Sequence, residues 1–273
     1  MRPDLHHLFR MDKLPHIWCP GCGHGIITRA IGEAIADSDI DLEQTVIVSG
    51  IGCSSRAPGY MNFDTLHTLH GRALAFATGV KLSNPQLNVF VLTGDGDATA
   101  IGGNHFIHAA RRNINLNVIL FNNNIYGMTG GQYSPLTPTG KMATTSPYGN
   151  LENNFDIPVL AIASGASYVA RGTAFHDKLL VDCIKEGIKN KGFSLIEAMS
   201  MCPTSYGRRN KMGTAADMLN DLKTSAVNIN VAKKLTPEKL EGKFLIGTLH
   251  HKPYREFTEE YDKLIDRLRK EGD

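Results

Sequence analysis

The stretch VFVLTGDGDATAIGGNHFIHAARRNINLNVILFNNNIYGMTGGQ, residues 89–132, decides the predicted fold. It opens with an apolar run over 89–92, which is typical of a strand that is buried on both faces. A helical segment covers 106–112, and a second apolar run at 118–121 predicts the next strand. Strands that alternate with helices in this way indicate a parallel sheet covered by helices.

The same alternation extends to both sides of this stretch. Helices are predicted over 26–35, 73–82 and 175–189, and further strands over 45–48, 167–170 and 193–196. From about Pro203 the sequence becomes polar and basic, and then helical and charged. We therefore predict a doubly wound, mostly parallel α/β domain over residues 1–202. An irregular or helical C-terminal extension over 203–273 should pack on this domain or on a partner subunit.

The bulk composition excludes several classes of protein. The chain has 273 residues, of which 42% are hydrophobic and 21% charged, and its formal net charge is +2. This balance gives no reason to expect nucleic acid or a membrane surface as a partner. The sequence has neither a signal-peptide pattern nor an apolar run of about 18 residues. Five cysteines are too few for a disulfide framework, so a reducing, cytoplasmic location is expected.

Polar residues follow the two strands of the opening stretch. Asp95 lies in the Gly-Asp-Gly turn after the first strand, and Asn123 lies in the Asn-Asn-Asn turn after the second. In such sheets, ligands bind outside the carboxyl ends of the strands, where both residues are expected. A carboxylate, an amide oxygen and a backbone carbonyl form the hard oxygen set that Mg²⁺ prefers, usually completed by water and phosphate. Two ordinary glycine-rich turns are the alternative interpretation.

Four of the five cysteines fall where loops join secondary elements. They are Cys19 and Cys22 before the first helix, Cys53 after the first strand, and Cys202 after the strand at 193–199. Four converging thiolates suit either a 4Fe–4S cluster or a structural zinc ion. Cys183 falls inside a predicted helix and is expected to be an ordinary buried cysteine.

The combination of these motifs resembles a known family. Gly94-Asp95-Gly96, 25 residues and then Asn122-Asn123 matches the spacing of the thiamine-diphosphate motif. Together with WCPGCGHG at 18–25, IGCS at 51–54, HGRA at 70–73, YGMTGGQ at 126–132 and the late Cys202, it resembles the β subunit of 2-oxoacid:ferredoxin oxidoreductases. The resemblance covers most of the chain and weakens after about Lys211. It implies a pyrophosphate domain of the thiamine-diphosphate-binding type.

The resemblance also implies cofactors and the residues that hold them. Mg²⁺ would be held by Asp95, Asn123 and the carbonyl of Ile125. One 4Fe–4S cluster would be ligated by Cys19, Cys22, Cys53 and Cys202. Residues that would line or cradle thiamine diphosphate are Ile51, Gly52, Cys53, Ser54, His70, Gly96, Asp97, Gly127 and Met128. His70 would approach the diphosphate or a neighbouring group, although a plain helix-start histidine is an equal alternative. His24 is equally open between a cofactor role and support of the cysteine loop.

The implied activity is the coenzyme A-dependent oxidative decarboxylation of 2-oxoglutarate to succinyl-CoA, or its reversal, with ferredoxin as the electron partner. Arg56 is the best candidate for the distal carboxylate of the substrate, ahead of Lys141 and Arg208. The basic run at 208–211 is either a ferredoxin contact or a solvated loop. A pyruvate enzyme of the same family, a non-oxidative thiamine decarboxylase and a zinc-stabilised binding protein are the alternatives. A Rossmann-type nicotinamide enzyme is disfavoured, because no Gly-x-Gly-x-x-Gly follows the first strand.

Thiamine enzymes also need a glutamate that activates the aminopyrimidine, and it lies on a separate pyrimidine-binding domain. This chain is too short to hold both domains. The resemblance therefore implies a separate α subunit, in an αβ or α2β2 assembly, and an isolated chain without activity.

Overall fold

The computed structural model describes residues 3–272 and contains one eight-stranded sheet. The strand order is β2-β1-β3-β4-β6-β5-β8-β7, and the six strands from β1 to β6 run parallel. This confirms the prediction of a doubly wound, mostly parallel α/β sheet. The strands are β1 Thr45–Ser49, β2 Asp64–His67, β3 Asn88–Gly94, β4 Leu116–Asn122, β5 Tyr168–Thr173, β6 Phe193–Met199, β7 Ala226–Asn228 and β8 Phe244–His251.

Helices connect the strands and cover both faces of the sheet. Their ends follow ordinary capping chemistry: α4 begins at the Asp156 side chain, α6 begins at a Thr214–Asp217 capping box, and α3 ends at a left-handed Asn113. The helices are α1 His24–Ala36, α2 Ala73–Ser83, α3 Gly103–Arg112, α4 Ile157–Ser164, α5 Asp177–Lys189, α6 Ala215–Ser225, α7 Ile229–Ala232, α8 Pro237–Leu240 and α9 Phe257–Gly272.

The hydrophobic core has two layers, one on each face of the sheet. On one face, α1 and α5 bury residues such as Ile31 and Ile184 against the strands. On the other face, α2, α3 and α4 bury residues such as Phe106. Strands β3, β4 and β6 are buried along nearly their whole length, which explains why β3 and β4 contain continuous apolar runs at 89–92 and 118–121 and not alternating patterns.

The C-terminal extension contributes to the same sheet. Strand β8 pairs antiparallel with β5, and β7 pairs with β8. The sequence predicted irregular or helical structure here and missed both strands, because β7 is short and β8 is interrupted by Gly247 and histidines. The boundary at residue 202 stays a prediction. Met1, Arg2 and Asp273, which the predicted domain bounds include, lie outside the described residues.

The parallel strands bring three loops to one edge of the sheet. β1 pairs with β2 on one side and with β3 on the other, and β3 pairs with β4. The order in which strands are added to the sheet therefore changes direction between β1 and β3. The loops that leave these three strands carry Ile51, Asp95 and Asn123. Ligand sites of open α/β sheets form at such a switch point. In the described part of the chain, no helix is both long and apolar enough to cross a membrane.

Candidate functional site

A cleft lies at the carboxyl ends of β1, β3 and β4. The loops after these strands form its walls, and His70 from the β2–α2 connection and His24 from the start of α1 complete it. The structure thus brings nearly all of the predicted cofactor and metal residues to one place. Those that line the cleft are Ile51, Gly52, Cys53, Ser54, His70, Asp95, Gly96, Asp97, Asn123, Ile125, Gly127 and Met128.

The predicted magnesium ligands form a buried set of oxygens. Asp95 is 4% exposed, and one of its carboxylate oxygens accepts a hydrogen bond of 2.6 Å from the hydroxyl of Ser134. Burial raises the pKa of Asp95 to about 7, because the charged form has lost its water. The Oδ1 atom of Asn123 is buried and has no hydrogen-bond partner within the described chain. A buried acceptor without a donor beside a desolvated carboxylate fits a divalent cation.

The turn that carries Asn123 is held in an unusual conformation. Asn124 has a φ of +61°, in the left-handed region that asparagine tolerates better than most residues. The backbone N–H of Asn124 donates to the side chain of Asn122 at 3.1 Å, and its carbonyl accepts from Thr137 at 2.6 Å. These contacts hold the backbone of the turn between Asn123 and Ile125.

The carboxylate of Asp97 joins loops at the cleft, which its backbone helps to line. Its carboxylate is 3% exposed, and one oxygen accepts from the backbone N–H groups of Gly71 at 2.7 Å and Ile51 at 3.2 Å. The same oxygen lies 2.7 Å from Nδ1 of His70, and the other accepts from Thr93 at 2.7 Å. The carboxylate is therefore engaged in joining three loops and orienting His70, so it does not face a phosphate. Only the backbone of Asp97 is left for the predicted phosphate cradle.

Two glycines are required by close packing around these loops. A Cβ on Gly96 would lie 2.2 Å from the ring of Tyr126, whose hydroxyl donates to the Gly96 carbonyl at 2.9 Å. A Cβ on Gly50 would lie 2.0 Å from the Asp97 carboxylate. The glycines thus let the chain pass close to Tyr126 and Asp97, which packs the floor of the cleft.

Four cysteines meet beside the cleft, as their positions predicted. The hydroxyl of Thr204 lies 3.6 Å from the sulfur of Cys19 and 3.7 Å from that of Cys202. A Cβ on Gly127 would lie 3.4 Å from the sulfur of Cys53 and 3.6 Å from that of Cys202. The indole of Trp18 donates to the Cys53 carbonyl at 2.7 Å and fixes that loop.

Electrostatics show that the four thiols interact. The pKa of Cys22 is raised to about 12, mainly by burial and to a smaller extent by the neighbouring thiols of Cys202, Cys53 and Cys19. Burial likewise raises the pKa of Cys53 to about 11, with contributions from Cys202 and Cys19. Such a set would be ionised only with a compensating cation. Yet within residues 3–272 no group of three or more His, Cys, Asp or Glu side chains is arranged to hold a single metal ion.

The remaining candidates fall outside the cleft or serve the fold. Arg56 is exposed one turn after Cys53 and does not line the cleft. Arg208 is also exposed, and Lys141 lines a separate cavity beside the tail. His24 lies within the cleft wall, where its Nδ1 is 3.1 Å from the Ser200 hydroxyl and burial lowers its pKa to about 4. Cys183 is in the core layer beneath α5, as expected of a plain buried cysteine.

Sequence reasoning missed Ser134, Tyr126 and Thr93 as parts of the site. Ser134 is far from the Gly-Asp-Gly turn in the chain and reaches Asp95 only through the long loop before α4. Tyr126 was noted within a motif but gave no sign that it packs on Gly96. Thr93 was the one local signal. Its hydroxyl needs an acceptor when it is buried, and the Asp97 carboxylate lies four residues further along the chain.

Comparisons with known proteins agree with this geometry. Residues 50–198 match the family model of the C-terminal TPP-binding domain of thiamine pyrophosphate enzymes. The 2-oxoglutarate synthase subunit KorB of Methanocaldococcus jannaschii is 54% identical over 271 residues, which are 99% of this chain and 100% of that protein. The KorB subunit of Archaeoglobus fulgidus is 47% identical over 270 residues, 99% of this chain and 97% of its own.

A solved structure gives the same result. The 2-oxoglutarate:ferredoxin oxidoreductase of Magnetococcus marinus, with 2-oxoglutarate, coenzyme A and succinyl-CoA bound, matches with a TM-score of 0.86 and 34% identity. The match covers 97% of this chain and 90% of the compared chain.

The fold and the cleft therefore define a thiamine pyrophosphate enzyme, with the cofactor site of the C-terminal TPP-binding domain. More narrowly, the chain belongs to the KorB family, the β subunits of 2-oxoglutarate synthases and related 2-oxoacid:ferredoxin oxidoreductases. This confirms the family, the fold class and the enzyme class indicated by the sequence motifs.

Proposed function

We propose that this chain is the β subunit of a 2-oxoglutarate:ferredoxin oxidoreductase and holds thiamine diphosphate, Mg²⁺ and one 4Fe–4S cluster. The observation that carries the proposal is the meeting of two sites at one edge of the sheet. Asp95, Asn123 and Cys53 line the same cleft, and a Cβ on Gly127 of that cleft would lie 3.4 Å from the sulfur of Cys53 and 3.6 Å from that of Cys202. A decarboxylase without a redox step would need only the first of these sites.

The chemistry of the ligand atoms supports a magnesium site with oxygen ligands and a cluster site with sulfur ligands. Asp95, Asn123 and the Ile125 carbonyl would hold Mg²⁺ against the diphosphate, and Cys19, Cys22, Cys53 and Cys202 would ligate the cluster. When bound, thiamine diphosphate supplies the nucleophilic carbon and the electron sink for decarboxylation. The chain itself orients His70 through Asp97, closes the cleft floor with Tyr126 and holds Cys22 and Cys53 half-buried beside it.

Redox chemistry favours a cluster over the zinc alternative. Zinc has no redox activity and could only tie the cysteine loops together. The compared proteins are named as oxidoreductases, and one of them is a 2-oxoglutarate:ferredoxin oxidoreductase. A 4Fe–4S cluster at Cys19, Cys22, Cys53 and Cys202 would supply the electron transfer that such a reaction needs.

The surroundings of the cleft support an α subunit as partner and a dicarboxylic 2-oxoacid as substrate. Among the residues that line the cleft, all within 3–272, there is no glutamate to activate the aminopyrimidine. Exposed apolar side chains flank the cleft at Ile51, Leu69 and Met128, which suits coverage by an α subunit. Arg56, exposed on the turn after Cys53, is proposed to pair with the distal carboxylate of 2-oxoglutarate once that subunit is in place.

The test is anaerobic purification of the chain with its co-expressed partner, followed by analysis of iron, acid-labile sulfide and zinc. About four irons and four sulfides per chain are expected, lost when Cys19, Cys22, Cys53 or Cys202 is replaced by Ser. The matched control is Cys183→Ser, which should keep the full iron content because Cys183 lies in the core.

Activity then separates the remaining alternatives. Coenzyme A-dependent reduction of ferredoxin should be faster with 2-oxoglutarate than with pyruvate. About one zinc per chain without iron would refute the electron-transfer function. Iron with a preference for pyruvate would retain the mechanism and change the substrate.

A further inference from the structure

A buried polar network lies directly behind the Asn123 turn. Glu197 on β6 is 2% exposed, and one of its oxygens accepts from Nδ2 of Asn122 on β4 at 2.7 Å. The other accepts from Nε of Arg171 on β5 at 2.6 Å. The guanidinium of Arg171 also donates to the carboxylate of Asp156 at 3.2 Å, near the surface. The network thus crosses three neighbouring parallel strands and ends at the residue before Asn123.

The side chain of Asn122 connects this network to the turn. Its Nδ2 donates to Glu197, and its Oδ1 accepts from the backbone N–H of Asn124, which has a positive φ. A carboxylate can only accept, so Glu197 fixes which end of the Asn122 amide faces the turn. If that amide rotated, its NH2 group would face the N–H of Asn124, and two donors would oppose each other.

We infer that Glu197 is a positioning residue for the cation site: by orienting Asn122, it holds the Asn122–Ile125 turn that brings the unpartnered side-chain oxygen of Asn123 into the cleft with Asp95. The inference rests on the proposed function, because it assigns a support to the proposed cation ligands. It also explains why a charged pair is kept in the interior, where neutral residues of similar volume would often give equal stability.

A matched pair of double variants isolates the effect. In Arg171→Met/Glu197→Gln, the glutamine oxygen still accepts from Asn122, and Arg171 no longer competes for it. In Arg171→Met/Glu197→Leu, Asn122 has lost its acceptor. Neither variant buries an unpaired charge, and both should therefore fold. Both proteins lack Arg171, and they differ in whether residue 197 offers an acceptor to Asn122.

The measurement is Mn²⁺ binding in the presence of thiamine diphosphate, followed by electron paramagnetic resonance of free Mn²⁺ on the complex with its partner subunit. The Gln variant should bind within about threefold of the unmodified complex. The Leu variant should bind about 10- to 100-fold more weakly, the usual loss when the support of a metal ligand is removed. Asp156→Asn, which still offers a cap to α4 and weakens the exposed end of the network, should bind like the unmodified complex.

Thermal unfolding of each variant separates positioning from general stability. The inference requires the Leu variant to bind weakly although its unfolding temperature is close to that of the Gln variant. Equal Mn²⁺ affinity of the two double variants would overturn it. Failure of the unmodified complex to bind Mn²⁺ with thiamine diphosphate would instead refute the proposed cation site, and the inference with it.

Discussion

Replacement of Asp97 tests whether its carboxylate joins the loops of the cleft. In Asp97→Ala, the buried N–H of Gly71 and the partly buried N–H of Ile51 lose their acceptor, and His70 and Thr93 lose a partner. A buried donor left unsatisfied costs about 1–3 kcal/mol. Since the Thr93 hydroxyl can rotate to another acceptor and Ile51 is partly solvated, we expect a total loss of about 3–5 kcal/mol in the free energy of unfolding.

The conservative variant gives the matched control. In Asp97→Asn, the amide oxygen can still accept from Gly71, Ile51 and His70, and the amide NH2 can donate to the Thr93 hydroxyl. Only the added strength of bonds to a charged acceptor is lost, about 1–2 kcal/mol. The two variants should therefore differ by at least about 1 kcal/mol, although they remove the same charge.

Urea unfolding of the complex and calorimetric titration with thiamine diphosphate and Mg²⁺ provide the two assays. Asp97→Ala should bind the cofactor at least tenfold more weakly, because His70 and the Ile51 loop are released, and Asp97→Asn should stay within about threefold. If Asp97→Ala changed the unfolding free energy by less than about 1 kcal/mol, the joining role would be refuted. Equal losses of affinity in the two variants would instead show that the charge of Asp97 matters directly.

Further predictions concern the cleft and its partners. Gly96→Ala should lower the free energy of unfolding by about 1–3 kcal/mol in urea, because the new methyl group displaces the Tyr126 ring; Tyr126→Phe, which loses one hydrogen bond, should cost only about 1 kcal/mol. Asn123→Ala should raise the Mg²⁺ concentration needed for cofactor binding at least tenfold, and a similar affinity to the unmodified complex would contradict its ligand role. Arg56→Ala should raise KM for 2-oxoglutarate about 10- to 100-fold, while rates with pyruvate change little; a parallel change with both substrates would remove Arg56 from substrate selection. Neutralising the two arginines of the basic run 208–211 should raise KM for ferredoxin at low salt but not for a neutral dye, and no change would identify the run as a solvated loop.

Much of the site was predictable because its chemistry is local in the sequence. Asp95 and Asn123 follow apolar strands directly, and strands that are buried on both faces are recognisable without any partner. The cysteines at 19, 22, 53 and 202 sit at strand and helix ends, and the carboxyl ends of parallel strands meet at one edge. The sequence thus predicted which residues converge.

The tail shows where sequence patterns became insufficient. Strand β8 gains its hydrogen bonds from β5, about 75 residues earlier in the chain, with a register shift between Val169 and Ala170. Nothing local in 244–251 favours a strand strongly, because half of its residues are polar or glycine. Its conformation is decided by an available sheet edge, which is a property of the folded domain.

The sequence by itself determined the fold class and the family, since periodicity and motif spacing are local properties of the chain. The resemblance to that family supplied most of the residues predicted at the cleft. Only the tertiary structure decided what each side chain does there. Asp97 was predicted beside the phosphates, and its carboxylate accepts hydrogen bonds that join loops from three strands. Ser134 donates to Asp95, which lies 39 residues earlier in the chain. Glu197 and Arg171 appear in the sequence as single charges on two strands, and they become support for Asn122 only when β4, β5 and β6 lie side by side. Whether two distant segments form a hydrogen bond depends on differences of a few tenths of an ångström in their separation. A pattern in the sequence does not contain that information.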